Sequence, residues 1–236
     1  RRGPPPLPLT DFGDCKGGGL WTVAHPEDPE VLIAQYGSQG GSECLYQINL
    51  KSLAITKVYA LPTAADDAHG IAFCKASAGD YYLVNTNRAS ATLDVLNYAT
   101  GEIVVDSFDL NGPLAASPDL KVLQPDVIYL HQDEGGNAAD SVLYMAARGP
   151  EPVSAVKAQN FFPDALPGLF KLHLTDCVAP AYHATERNLQ TEQARVPAIK
   201  SDVHSVWLVG TEVWAIDQAA TGSVQTYEVF SKCAAY

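Results

Sequence analysis

Apolar and polar positions alternate most clearly between Asp66 and Leu110. DDAHGIAF, YYLVNTN and TLDVLNYATGEIVVDSFDL predict short strands over Gly70–Cys74, Tyr81–Asn85, Thr92–Tyr98 and Ile103–Leu110. Val, Ile, Tyr and Phe fill these runs, and Gly, Asp, Asn and Ser separate them. Within the third run Leu93 and Val95 fall on one side and Asp94 on the other, which predicts a half-buried strand with Asp94 facing out. Ala99, Thr100 and Gly101 form the expected turn. A lone sheet of this kind leaves a face uncovered, so the stretch reads as one unit of a larger array.

The unit recurs. VLIAQYG followed by CLYQINLKSLAITKVYAL, at Val31–Gly37 and Cys44–Leu61, has the same layout as YYLVNTN followed by LDVLNYATGEIVVDSFDL. Towards the end, SVWLVG and VWAIDQAATGSVQTYEVF repeat it, with Ala-Thr-Gly at 220–222 matching Ala-Thr-Gly at 99–101. Repeats of roughly 40–50 residues with several strands apiece are the mark of a β-propeller. The apolar spacing of a helical solenoid is missing. The expected fold is therefore all-β, a propeller of four-stranded blades. At roughly 40–45 residues per blade, 236 residues make about five blades, and up to seven only if the ring is irregular or incomplete. Residues 1–18 read as a proline- and glycine-rich arm, and 19–236 as a single propeller domain. The first blade spans Gly19–Leu61 and the last unit Ser201–Phe230; residues 177–200 read as a loop or a short helix.

Charge narrows the partners. A net charge of −12 with 15 Lys and Arg argues against nucleic acid and anionic membranes and leaves a protein partner or a small ligand. No apolar run approaches the length of a transmembrane helix, and RRGPPPLPLT lacks the apolar core of a targeting peptide. The five cysteines, Cys15, Cys44, Cys74, Cys177 and Cys233, show no CxxC spacing. They read as buried thiols or as one or two long-range disulfides. Cys15 with Cys233 is the suggested pair, since a closed ring brings the two ends together.

Several segments resemble a known family. DDAHGIAF is similar to the blade-opening D-P-H-G-[IV]-A-V of YVTN-type propellers, and YYLVNTNRASATLDVLNYATGEIV to their V-Y-V-T-N…V-x-V-I-D-T-A-T-G-x-V-V signature. PDVIYL, SVLYMAARGPEPVS and LPGLFKLHL resemble a later stretch of the same proteins, and SDVHSVWLVG repeats the blade opener. The resemblance covers most of residues 60–220. It implies a seven-bladed, NHL- or lactonase-like propeller in a secreted, extracytoplasmic or organelle-lumen setting, with no catalytic residues to carry over. His131 to Glu134 departs from the family's Ser-Pro-Asp-Gly turn.

Propeller ligands sit where the innermost strands begin. The residues there are Asp66, Asp67 and His69, then Asp126, then Asp202 and His204. Carboxylates and imidazoles converging on one axis suit a divalent metal such as zinc, manganese or iron, which could activate water. Asp67, His69, Asp126, Asp202 and His204 are thus the candidate ligands, although backbone-fixing hydrogen bonds are the favoured reading of each Asp-x-His. The His131, Asp133, Glu134 loop lacks the calcium pattern and reads as a solvated acidic loop. His25 with Glu27, Asp28 and Glu30 reads as a surface turn, and His173 as a packed or edge residue. Trp207 and Trp214 alternate with apolar residues and read as core. Nucleophile elbows, zincin motifs and phosphate loops are absent. The expected function is a binding or scaffold module rather than an enzyme. The alternatives are a metal-dependent lactonase-like hydrolase and an accessory subunit of a larger complex.

Overall fold

A computed structural model gives the fold and describes residues 15, 20–36, 43–63, 65, 67–111, 125–132, 140–147, 168–181, 203–209, 212–217 and 226–230. These residues form an all-β structure with no helix among them. Strands β1 (Leu20–Ala24), β2 (Val31–Tyr36), β3 (Cys44–Asn49) and β4 (Ala54–Ala60) make the first sheet in chain order. The second holds β5 (Ala68–Lys75), β6 (Tyr81–Asn87), β7 (Thr92–Asn97) and β8 (Ile103–Asp109). The third holds β9 (Pro125–His131), β10 (Asp140–Ala147), β11 (Gly168–Thr175) and β12 (Ala179–Ala181). The fourth has three described strands, β13 (Val203–Val209), β14 (Glu212–Asp217) and β15 (Thr226–Phe230). Every pairing is antiparallel between successive strands. The expected turn after β7 is present: Gly101 donates its N–H to the Asn97 carbonyl at 2.8 Å and adopts φ +83°, a conformation glycine takes without steric cost.

The sheets stack face to face. Ile33, Leu45 and Tyr59 of the first meet Ile71, Phe73, Leu83 and Leu96 of the second. The other face of the second sheet sets Ala72, Val84, Leu93 and Val95 against Ile128, Leu143, Met145 and Phe170 of the third. Tyr144, Ala146 and Leu169 on the far side of the third then pack on Val206 and Val213 of the fourth. β6 and β7 are consequently buried on both faces, and the polar residues they carry there, among them Asn85, Asn87, Thr92 and Asp94, bond one another.

Two expectations change. Asp94 is fully buried, because the second sheet is covered on both sides; alternation marks the two faces of a strand without saying that one is wet. Trp207 and Trp214 are 42% and 38% exposed, so they are not core: the third sheet covers only the face carrying Val206 and Val213.

The second and third sheets meet along β5 and β9, and the approach depends on Gly70. A Cβ there would lie 2.6 Å from the Asp126 carbonyl oxygen and 2.6 Å from Thr86 Oγ1. The carbonyl is backbone and cannot swing aside. Gly70→Ala is expected to cost about 1–3 kcal/mol by forcing β5 away from β9, read as a lowered midpoint in chemical denaturation; an unchanged midpoint would show that the sheets part without penalty.

Of the two disulfides among the described residues, one joins neighbouring sheets. Cys74 on β5 joins Cys177, just beyond β11, with Cα atoms 5.8 Å apart. Around it Ser77 donates its N–H to Asp176 at 2.7 Å, and Gln132 bonds both the N–H and the carbonyl of Lys75 at 2.8 and 2.9 Å. The second bond corrects the sequence reading, since Cys15 pairs with Cys44 and not with Cys233. The Cys15 and Cys44 Cα atoms are 6.0 Å apart, within disulfide reach, because residue 15 lies against the outer face of the first sheet beside Tyr46 and Ala34. Cys233 lies outside the described residues.

Candidate functional site

Asp67 opens β5 in a left-handed conformation, φ 59°, which an Asp tolerates better than a branched residue. The turn is secured from two sides. Arg88, directly after β6, donates its N–H to the Asp67 carbonyl at 2.9 Å, and the Glu43 carboxylate accepts the N–H groups of Asp67, at 2.6 Å, and Ala68. Arg88 also donates Nε–H to Asp67 Oδ2 at 2.5 Å. Both side chains are buried.

His69 extends this chain to the next sheet. Its Nδ1 lies 3.6 Å from Asp67 Oδ1 and its Nε2 lies 3.3 Å from Asp126 Oδ1. Asp126, at the start of β9, is fully buried, and the His69 side chain is 16% exposed. The Trp21 ring on β1 meets the imidazole edge-on at 6.0 Å. Glu43, Arg88, Asp67, His69 and Asp126 thus run across the openings of three sheets. Burial alone would push the Asp67 carboxyl up, but the His69 hydrogen bond and the Arg88 charge outweigh it and hold Asp67 below the usual carboxylate range.

Three of the five candidate ligands, Asp67, His69 and Asp126, therefore converge. Asp67 is already engaged by a guanidinium, and among the described residues no set of three or more His, Cys, Asp or Glu is arranged to hold a metal ion. His204 stands on β13, but its side chain lies outside the described residues, as does Asp202. Asp66, Asp133 and Glu134 lie outside them as well. His25 is part of a turn, as expected: its Nδ1 accepts the N–H groups of Glu27 and Asp28 at 3.2 and 3.1 Å. Its ring is also packed by Phe73, Tyr81 and Tyr98 at 4.9, 4.9 and 5.1 Å. His173 is half-buried on β11.

Sequence reasoning missed Arg88 and Glu43, whose partners are distant along the chain. A second buried polar set was also missed. Gln35 on β2 donates to Asn85 on β6, and Asn85 donates to Asn87 at 2.8 Å. Asn87 donates to Asp94 Oδ2 at 2.7 Å and to Thr92 Oγ1 at 2.9 Å, while the Ser107 N–H reaches Asp94 Oδ1 at 2.9 Å. Burial raises the Asp94 carboxyl above its ordinary range, against those hydrogen bonds. The regular spacing of Asn85 and Asn87 on one face of β6, opposite Asp94 and Thr92 on β7, was the one available signal. Compared with known proteins, the chain matches no family model and no curated sequence.

Proposed function

We propose that the chain is a β-propeller of the YVTN type its sequence resembles, acting as a binding or scaffold module whose loops and strand openings take a protein partner or a small ligand. The observation that carries this reading is the placement of β1, β5, β9 and β13: each begins its sheet, and they lie side by side in chain order, as the innermost strands of successive blades would. The polar groups at the openings join neighbouring sheets, with Arg88 saturating Asp67 and His69 reaching Asp126. Such contacts suit a fixed frame more than a reaction. Two disulfides support an oxidising, extracytoplasmic setting, and no helix among the described residues is long and apolar enough to cross a membrane.

A metal-dependent hydrolase is the second reading, favoured by the convergence of Asp67, His69 and Asp126. Elemental analysis by plasma mass spectrometry separates the two, on protein purified without chelator or affinity metal. The binding-module reading expects no stoichiometric transition metal and a lower Tm for His69→Ala, equivalent to about 1–3 kcal/mol for the lost bridge. One metal per chain, lost in His69→Ala, would replace it with the hydrolase and direct screening to lactones and esters.

A further inference from the structure

The amides buried between the first two sheets form a chain with a direction. Gln35, Asn85, Asn87 and Asp94 are all fully buried. Asn87 donates to Asp94 Oδ2 and Thr92 Oγ1, and Asn85 donates to Asn87 Oδ1 and, at 3.4 Å, to Asp94 Oδ2. Gln35 donates to Asn85 Oδ1 and, at 3.3 Å, to the Gly70 carbonyl. At one end Asp94 meets donors on both oxygens, since the Ser107 N–H lies on Oδ1. The edge strand is shaped for this: Asp106 and Ser107 together stand opposite Asp94 where the β7–β8 ladder shifts, and Ser107 is left-handed at φ 51°. At the other end Gln35 Oε1 is buried and has no hydrogen-bond partner among the described residues.

We propose that this chain is a proton-operated switch, in which protonation of Asp94 reverses the three amides in turn and changes what the Gly70 carbonyl meets on β5, beside His69. An ionised carboxylate only accepts, whereas a protonated one must also donate. A proton on Asp94 Oδ2 points at the Asn87 amide nitrogen and needs an oxygen there, so the Asn87 amide turns over. Its nitrogen then faces Asn85, which turns in the same sense, and Gln35 follows. Gln35 Oε1 now accepts from Asn85, and the Gly70 carbonyl loses its donor. The oxygen left over in the ionised state is thus the acceptor of the protonated one. Burial opposes the ionised form and the hydrogen bonds favour it, with burial the larger effect. Around Asp94, β6 and β2 present neutral amides, and β8 presents Asp106, whose charge acts in the same direction as burial. At the openings Asp67, His69 and Arg88 pair with one another or with Asp126. The switch belongs to the frame between the sheets, so it stands whether or not the openings hold a ligand.

Heteronuclear NMR on the isotope-labelled full chain, titrated from about pH 8 to about pH 4, tests this directly. The Asp94 carboxyl carbon, the side-chain amide signals of Asn87, Asn85 and Gln35, and the Gly70 carbonyl carbon are expected to move with one shared midpoint, above the roughly 3.9 of a free aspartate. Asp94→Asn puts a permanent N–H donor where the proton would go, so its amide signals should hold the acid-form positions at every pH. Gln35→Met cuts the chain at the sheet boundary and covers the case in which the first variant fails to fold. It should leave Asp94, Asn87 and Asn85 responding to pH while the Gly70 carbonyl no longer follows them. Gln35 and Gly70 signals that stay still while Asp94 titrates, or a Gly70 response that survives in Gln35→Met, would overturn the proposal.

Discussion

Replacing Arg88 with leucine is expected to destabilise the protein by about 3–5 kcal/mol at neutral pH, the usual cost of removing one partner of a buried ion pair. The loss comes from what remains. Asp67 stays buried beside the Glu43 carboxylate that binds its own N–H, and it keeps only His69 as a side-chain partner. The pH dependence should reverse with it. In the wild type the Asp67 carboxyl is lowered, so its contribution is complete above the unfolded carboxylate pKa of about 3.9 and disappears as pH falls through the folded value. In Arg88→Leu burial dominates and the folded pKa rises, so acidification should recover part of the lost stability. Urea denaturation from about pH 7 down to about pH 2 measures both. Parallel stability profiles for the two proteins would show that Arg88 does not set the charge of Asp67.

Removing the Cys74–Cys177 bond by Cys74→Ala with Cys177→Ala should cost about 2–5 kcal/mol, near the upper end of that range. The two cysteines are 103 residues apart, and a closed loop of that size withdraws about 4.7 kcal/mol of chain entropy from the unfolded state on the loop-closure account. Both cysteines are fully buried, and Cys74 Sγ also lies 3.4 Å from the buried Ser141 hydroxyl, so the loss includes that contact. Equilibrium denaturation of the double variant against the oxidised wild type gives the difference. A loss below about 1 kcal/mol would mean that β5 and β11 are held together by packing and by the Gln132 and Asp176 hydrogen bonds alone.

Much of the fold was legible because period-2 alternation and turn chemistry are local. The strands of the second sheet fall within a few residues of the expected limits, and Gly101 closes the turn that Ala-Thr-Gly implied. What was not legible depends on which surfaces meet. Asp94 and Trp207 occupy similar places in an alternating pattern, yet one is sealed between two sheets and the other faces solvent, because coverage is a property of the neighbour and not of the strand. Cysteine pairing fails for the same reason: Cys44 was as available a partner for Cys15 as Cys233 until the outer face of the first sheet placed it within reach. At the candidate site the sequence pointed to His69, Asp67 and Asp126 through their position at strand openings. It could not supply Arg88, whose role is decided by the 21 positions separating it from Asp67 in the chain and by a turn that folds them together.

The link between Cys74 and Cys177 also gives the middle of the chain a closed outline. Every strand from β6 to β11 lies inside one covalent ring that begins on β5 and ends just past β11. A protease that cuts the backbone once anywhere within that ring opens it without releasing a fragment. The first and fourth sheets, outside it, remain tethered to each other through sulfur.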